Sequence, residues 1–282
     1  YKYYESNGTP MDGKKYINNN YPNVNDCLGI PLEDYNAPGT LGKHPEEGNH
    51  YNDTGHLVSE NNIIIGAPSA GTGGTAYIFN ATTGAELRKL TASDAATSDN
   101  FGSAVAISGN YAIVGSTHDD DNQNNSGSAY IFDVTTGNQL HKLTASDGAA
   151  NDYFGMRVAI SGNYAIMGAY WDDDNGSNSG SAYIFNVTTG TQLHKLTASD
   201  AAASEYFGWS VAISGNYAIV GAHFDDDNGS ASGNAYIFNV TTGTEIHKIT
   251  ASDGSESDQF GVSVAIDGNY AIVGSAYDDD NG

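Results

Sequence analysis

Residues 101–116 read FGSAVAISGNYAIVGS, and this stretch returns almost unchanged at 154–169, 207–222 and 260–275. The pair Phe-Gly falls at Phe101, Phe154, Phe207 and Phe260, 53 residues apart each time. Three other elements keep the same phase: Tyr-Ala-Ile at Tyr111, Tyr164, Tyr217 and Tyr270; Ala-Tyr-Ile-Phe at Ala76, Ala129, Ala182 and Ala235; and Thr-Thr-Gly at Thr82, Thr135, Thr188 and Thr241. Chance apolar periodicity does not hold loop lengths constant over four copies, so the chain is a repeat array.

Each unit reads as four short strands. Val105–Ile107 is followed by the tight turn Ser108-Gly109-Asn110, then by Tyr111–Gly115, which is apolar on both faces and so expected to be buried on both. An acidic loop leads to Ala129–Asp133, with Tyr130 and Phe132 on one face and Ala129 and Ile131 on the other. Val134-Thr135-Thr136-Gly137 turns the chain, glycine supplying a positive φ, into Gln139–Leu143. Four antiparallel strands with Gly and aromatic residues at fixed phase predict an all-β fold, a β-propeller of four-stranded antiparallel blades. A solenoid is the other array of this kind. A string of sandwiches would need about 100 residues per unit.

The blades are expected at 51–100, 101–153, 154–206 and 207–259, with a partial one at 260–282. In the first, Asn52-Asp53 stands where Phe-Gly belongs and the middle loop is four residues shorter. The last stops after its second strand, which leaves an open sheet edge. The ring is therefore expected to be incomplete in this stretch and the chain to be a piece of a longer one. The competing expectation is that the N-terminal arm or a neighbouring subunit adds the missing strands. Residues 1–50 stand outside the repeat as an irregular Asn- and Tyr-rich arm, packed on the propeller by its tyrosines or docked on another subunit.

Composition narrows the function. Thirty-four acidic against 10 basic side chains in 282 residues give a net charge of −24, which repels a phosphate backbone and excludes nucleic-acid binding. With 39% apolar residues the chain is too hydrophobic to be wholly disordered, and no apolar run approaches the roughly 20 residues that span a bilayer. The single cysteine, Cys27, excludes an internal disulfide framework and a cysteine-clustered metal site. Tyr1 reads as a processed terminus or the start of a fragment, and processing fits export. Glycosylation acceptor patterns at Asn7, Asn52, Asn80, Asn124, Asn175, Asn186, Asn228 and Asn239 matter only in a eukaryotic secreted protein.

Phe-Gly followed by a Gly-Ala-Pro-like element at the end of the second strand resembles the FG-GAP repeat of integrin alpha-subunit propellers, and is similar above all to bacterial and environmental FG-GAP repeat proteins with Asp-Asp-Asp-Asn loops. Gly66-Ala67-Pro68 is the literal motif; later copies read Gly115-Ser116, Gly168-Ala169, Gly221-Ala222 and Gly274-Ser275. The resemblance implies the propeller and covers residues 51–282. It does not carry over the integrin calcium site, which lies between the first two strands, where this chain has only Ser-Gly-Asn.

The acids gather in two kinds of connection. Middle loops hold Asp119-Asp120-Asp121, Asp172-Asp173-Asp174, Asp225-Asp226-Asp227 and Asp278-Asp279-Asp280; links between blades hold Asp94, Asp99, Asp147, Asp152, Asp200, Glu205, Asp253, Glu256 and Asp258. In an up-and-down blade both lie on one face. Crowded like charges must be solvated, neutralised or bound to a cation. Calcium takes six to eight oxygens. Asp119, Asp121 and Asn122, Asp172, Asp174 and Asn175, Asp225, Asp227 and Asn228, and Asp278 and Asp280 are its candidate ligands, the middle acid of each triplet facing water. The opposing expectation is a solvated turn whose aspartates cap local N–H groups.

His141, His194 and His247 keep the 53-residue phase on the outermost strand, which argues for a structural role at the rim. His118, Trp171 and His223, with Phe224 and Tyr277 as alternates, adjoin the acid triplets and form a candidate ligand-stacking position. No phosphate loop, nucleophile elbow, zinc helix or unrepeated acid–base pair is visible, so enzyme activity is not expected in this stretch. The reading is an extracellular or cell-surface structural or adhesive propeller. It binds calcium, contacts protein or glycan partners, and forms a homo-oligomer or filament through the arm or the open edge. The alternatives are a carbohydrate-binding propeller and an accessory propeller of a larger secreted enzyme.

Overall fold

A strand reading Ala-Tyr-Ile-Phe is apolar on both faces and is stable only between two other layers. The computed structural model describes residues 61–278 and supplies those layers as successive antiparallel sheets. β1 (Asn62–Ala67), β2 (Thr75–Asn80) and β3 (Glu86–Leu90) form the first. β4 (Phe101–Ser108), β5 (Tyr111–Ser116), β6 (Ser128–Asp133) and β7 (Gln139–Leu143) form the second. β8 (Arg157–Ser161), β9 (Tyr164–Ala169), β10 (Ser181–Asn186) and β11 (Thr191–Leu196) form the third. β12 (Ser210–Ser214), β13 (Tyr217–Ala222), β14 (Asn234–Asn239) and β15 (Glu245–Ile249) form the fourth, and β16 (Phe260–Asp267) with β17 (Tyr270–Ser275) the fifth. Consecutive strands are neighbours throughout, as in propeller blades. The arm at 1–50, Cys27, Asn52-Asp53, Asp279 and Asp280 lie outside the described residues.

The two faces of each third strand serve different neighbours. Tyr130 and Phe132 point back to the first blade and pack with Phe101, Ala76 and Ile78. Ala129 and Ile131 point forward and pack with Phe154, Met167 and Tyr183. The same division joins the third and fourth blades through Ile184, Phe207 and Tyr236. The cores therefore lie between blades rather than within them, and β4, β8, β12 and β16 adjoin one another in succession.

The Phe-Gly and Gly-Ala elements meet across each of these interfaces. Phe101, Phe154 and Phe207 are fully buried, a burial that contributes about 1.5–3 kcal/mol each. Each sits edge-on to the Tyr and Phe of its own third strand, as Phe154 does to Tyr183 at 5.4 Å and Phe185 at 5.8 Å. Each also bridges in parallel to a glycine in the loop of the preceding blade: Gly74 to Phe101, Gly127 to Phe154, Gly180 to Phe207. Behind it, Gly168 lies so close to the next blade that a Cβ would stand 2.1 Å from the Gly208 carbonyl oxygen.

No ring closes among the described residues. Ile272 on β17 has the phase of Ile113, Ile166 and Ile219, which are fully buried, yet it is 71% exposed, since no strand among the described residues packs over it. Ile63 and Ile65 on β1 are exposed at the opposite end.

Candidate functional site: the acidic loop face

The links and middle loops do share one face, and they interlock. His118 N donates to Asp99 O, and Ser116 Oγ to the same oxygen, so this link seats on the middle loop of its own blade; Tyr277 N and Ser275 Oγ donate to Asp258 O in the same way. Asn151, Tyr153 and Phe154 then donate to Asn124, Asn125 and Ser126, which ties that loop to the next link.

At the centre of the middle loops of the second, third and fourth blades lies a cluster of one lysine, one tyrosine and three aspartates. Lys142 Nζ is 2.8 Å from Asp94, 2.9 Å from Asp119 and 2.6 Å from Asp121. Tyr130 Oη lies 2.7 Å from Asp119 Oδ2 and 3.0 Å from Asp94 Oδ1, its single proton available to either. Lys195 and Tyr183 hold Asp147, Asp172 and Asp174 in the same way, and Lys248 and Tyr236 hold Asp200, Asp225 and Asp227. The lysine and tyrosine reach the loop because they face each other across the outer strand pair, Tyr130 opposite Lys142. The first blade keeps that pair as Tyr77 and Lys89, but its short loop brings no aspartate.

The first and third acids of each triplet therefore converge, as expected, with a link acid as the third member. In the second and fourth blades one oxygen from each of the three aspartates lies within 4.8 Å of the others. Tested against a calcium ion, the arrangement does not fit as it stands, because the lysine ammonium holds the point of convergence. The side chains of Asn122, Asn175 and Asn228 take no part in the clusters; Asn175 and Asn228 instead use backbone N–H groups on Ser179 and Ser232. Local capping is present as well: Asp172 accepts from Asp174 N, and the exposed middle acids Asp173 and Asp226 accept from Asn178 N and Ala231 N. Asp278 begins the fourth triplet at the edge of the described residues.

Electrostatics follow from this packing. Burial works against ionisation of Asp94, Asp147 and Asp200, but the lysine and tyrosine hydrogen bonds outweigh it and hold these carboxyls below the usual range. Burial works against the lysine charge too, and is outweighed by hydrogen bonds to the aspartates, which raise Lys142, Lys195 and Lys248. Under the clusters lie Asp99, Asp152 and Glu205, each buried and accepting one backbone N–H three residues back. Burial raises all three, and repulsion from the triplets adds to it; Asp152 reaches about 6.

The aromatic residues beside the triplets join into one band. His118 meets Tyr153 at 5.2 Å between ring centres, Tyr153 meets Trp171 at 5.5 Å, and Trp171 meets Tyr170 at 6.2 Å. Tyr170 meets Trp209 at 4.8 Å, and His223 lies 4.3 Å from Trp209 and 4.2 Å from Phe224. The three candidate stacking residues are thus brought together, with one correction of phase. Phe224, not His223, is the counterpart of His118 and Trp171; His223 is the counterpart of Tyr170 and is buried, whereas Trp171 is 41% exposed. Tyr277, in phase with Phe224, is exposed.

His141 and His194 have structural roles at the rim. His141 Nε2 contacts Thr188 O at 3.1 Å and His194 Nε2 contacts Thr241 O at 3.0 Å, each bridging to the Thr-Thr-Gly turn of the next blade; Arg88 does the same to Thr135. Lys142, Lys195 and Lys248 were visible in sequence as a phased neighbour of these histidines, and Tyr130 as part of Ala-Tyr-Ile-Phe. Nothing in the spacing alone shows that both converge on the loop acids.

Phased blades, a buried Phe-Gly and a close-packed Gly-Ala define a propeller-type repeat array. The family model of the FG-GAP repeat matches residues 85–132, 138–185, 191–238 and 244–282, and the chain belongs to that family. Each match starts at the outer strand of one blade and runs into the next, so it spans an interface. Among solved structures, the crystal structure of the computationally designed Ika4 protein is similar at 20% identity, over 69% of this chain and 94% of that one, with a TM-score of 0.45. No curated protein matches the chain. No helix among the described residues is long and apolar enough to cross a membrane.

Proposed function

We propose that the chain is a non-enzymatic structural or adhesive propeller that works outside the cell, presenting its acidic loop face to protein or surface partners. One observation carries this reading. The same lysine–tyrosine–aspartate cluster recurs in three successive blades, each satisfied internally, so the face is a rigid repeated display rather than a reaction centre. Repetition suits contacts that are weak singly and strong together. Calcium enters this reading as a competitor of the lysines: binding would require each ammonium to swing out.

The test is adhesion and assembly of the full chain, compared with a variant carrying Asp120→Asn, Asp173→Asn and Asp226→Asn. Adhesion to cells or matrix, or self-association in sedimentation, that falls in the variant at unchanged melting temperature supports the reading. No adhesion or assembly by the parent chain overturns it. Calcium calorimetry runs alongside. Saturable binding at about one ion per complete loop supports displacement of the lysines, and no binding at millimolar calcium removes calcium from the reading.

A second reading is a carbohydrate-binding propeller. The continuous band of rings from His118 to Phe224 favours it, since sugars are held by ring stacking with adjacent polar groups.

A further inference from the structure

The repeats are near copies, so the places where they change chemical type stand out. Aligned by the 53-residue spacing, the phases that change toward aromatic or cationic residues include Asn100, Tyr153, Tyr206; Ser103, Met156, Trp209; Ala104, Arg157, Ser210; Thr117, Tyr170, His223; and His118, Trp171, Phe224. In the fold these phases meet on the acidic face, where the third and fourth blades adjoin.

Arg157 is central to this patch. Its guanidinium carbon lies 5.4 Å from the Trp209 ring centre, and Nη1 donates to Met156 O at 3.0 Å. Unlike Lys142, Lys195 and Lys248, it forms no ion pair among the described residues, although acids surround it in the sequence. His223 is held between Trp209 and Phe224 with Nδ1 buried and without a hydrogen-bond partner. Packing alone selects neither an unpaired guanidinium nor an orphaned ring nitrogen, since an aliphatic residue fills the space without those costs. Trp171 is 41% exposed, and Tyr153, Tyr206 and Trp209 are half-buried, so ring surface stays open to solvent.

We propose, building on the carbohydrate reading, that this patch binds a neutral oligosaccharide, its sugar rings stacked on Trp171 and Tyr153 and its hydroxyl oxygens accepting from Arg157. Charge selects the class. An anionic glycan would meet the field of a chain of net charge −24. A cationic ligand would be drawn to the loop aspartates of the face rather than to a patch centred on the Arg157 charge. A neutral sugar offers acceptor oxygens to a donor-only guanidinium and apolar C–H faces to the rings. Several rings in succession suit an extended oligosaccharide better than a single sugar.

Both tryptophans of the protein, Trp171 and Trp209, lie in the patch, so indole fluorescence of the full chain reports on it alone. The probes are cellohexaose, xylohexaose, laminarihexaose and chitohexaose, with polygalacturonate and chitosan as charged controls. A saturable change with at least one neutral probe, and a Kd by calorimetry weakened about tenfold or more by Trp171→Ala and also by Arg157→Met, supports the site. Trp171→Phe should recover part of the affinity, which separates lost stacking from lost folding. Neutral-glycan binding that neither substitution weakens overturns this site and leaves the carbohydrate reading standing. Binding of a charged control alone overturns the ligand class. No binding by any neutral probe overturns the site and the carbohydrate reading together.

Discussion

His141 in one blade and Thr188 in the next are joined by a hydrogen bond of 3.1 Å, in which the imidazole Nε2–H must be the donor because a carbonyl oxygen can only accept. The turn that presents Thr188 ends at Gly190, and a Cβ there would stand 2.7 Å from the His141 ring. The rim contact and the Thr-Thr-Gly turn are one device, which explains why histidine and glycine share a phase.

Gly190→Ala should therefore cost more than the same change at Gly162. Both glycines have positive φ, 70° and 55°, but nothing lies within 4 Å of a Cβ at Gly162. Gly162→Ala should lose about 1–2 kcal/mol from the left-handed backbone alone. Gly190→Ala should lose measurably more in urea unfolding, and His141→Ala should recover the excess. Equal losses at the two sites would show that the rim contact is not tight.

Gly168→Ala tests the Phe-Gly to Gly-Ala contact. Here the obstacle is the Gly208 backbone carbonyl at 2.1 Å, which cannot rotate away as a side chain can. The substitution should separate the third and fourth blades and expose Phe207, seen as dye binding and early hydrogen exchange at that interface. A melting temperature within a few degrees of the parent would contradict the contact as described.

Lys142→Met removes the cation from Asp94, Asp119 and Asp121 and leaves the buried Asp119 carboxylate with only the Tyr130 hydroxyl and the Asp121 N–H. The loss should be about 3–5 kcal/mol in the absence of divalent ions. Calcium should restore part of it, and chelator should abolish the rescue. If calcium has no effect on the variant, the three carboxylates cannot serve as a metal site even when vacated.

Asp152 sets a pH signature. Its carboxyl is pushed up to about 6 by burial first and then by Asp172 and Asp174, against an ordinary value of 3.8. The native state then binds more protons than the unfolded state between those values, so this group lowers stability as pH rises through the interval. His223 acts oppositely over much of the same range, lowered from 6.5 to about 4 by burial and then by Arg157. The parent curve mixes the two, so the difference between parent and variant is the readout. Asp152→Asn keeps an acceptor for Ala149 N–H and should be more stable than the parent at pH 7, with the gain fading toward pH 4. A variant less stable at pH 7 would show that the carboxylate is needed in charged form.

The fold was legible because one periodicity answered many questions together. Alternation in Ala-Tyr-Ile-Phe assigned Tyr130 and Ile131 to opposite faces, and the structure places them in separate cores. The site was legible only in part. Asp119 and Asp121 were read as converging, but their partner Lys142 lies 21 residues beyond Asp121 on another strand, and only strand pairing brings it back. Trp209 and Arg157 are not legible as site residues in sequence, because they sit inside the Phe-Gly strand segment, whose repeated residues are packing residues. His223 and Phe224 are both aromatic neighbours of the Asp225 triplet, and only the 53-residue phase tells which of them matches Trp171.

The contacts between blades also bear on mechanics. The hydrogen bonds from Arg88 to Thr135, from His141 to Thr188 and from Gly162 to Ser108 all join adjacent repeats. Tension applied to the two ends would load these junctions in series, and each would yield only after its own glycine and phenylalanine contacts had parted. A blade that then unfolded would free 53 residues, about 180 Å of chain at roughly 3.4 Å per residue. A protein so jointed would lengthen in regular steps under pull and shed force at each one, an extensible tether whose step length is written in its repeat.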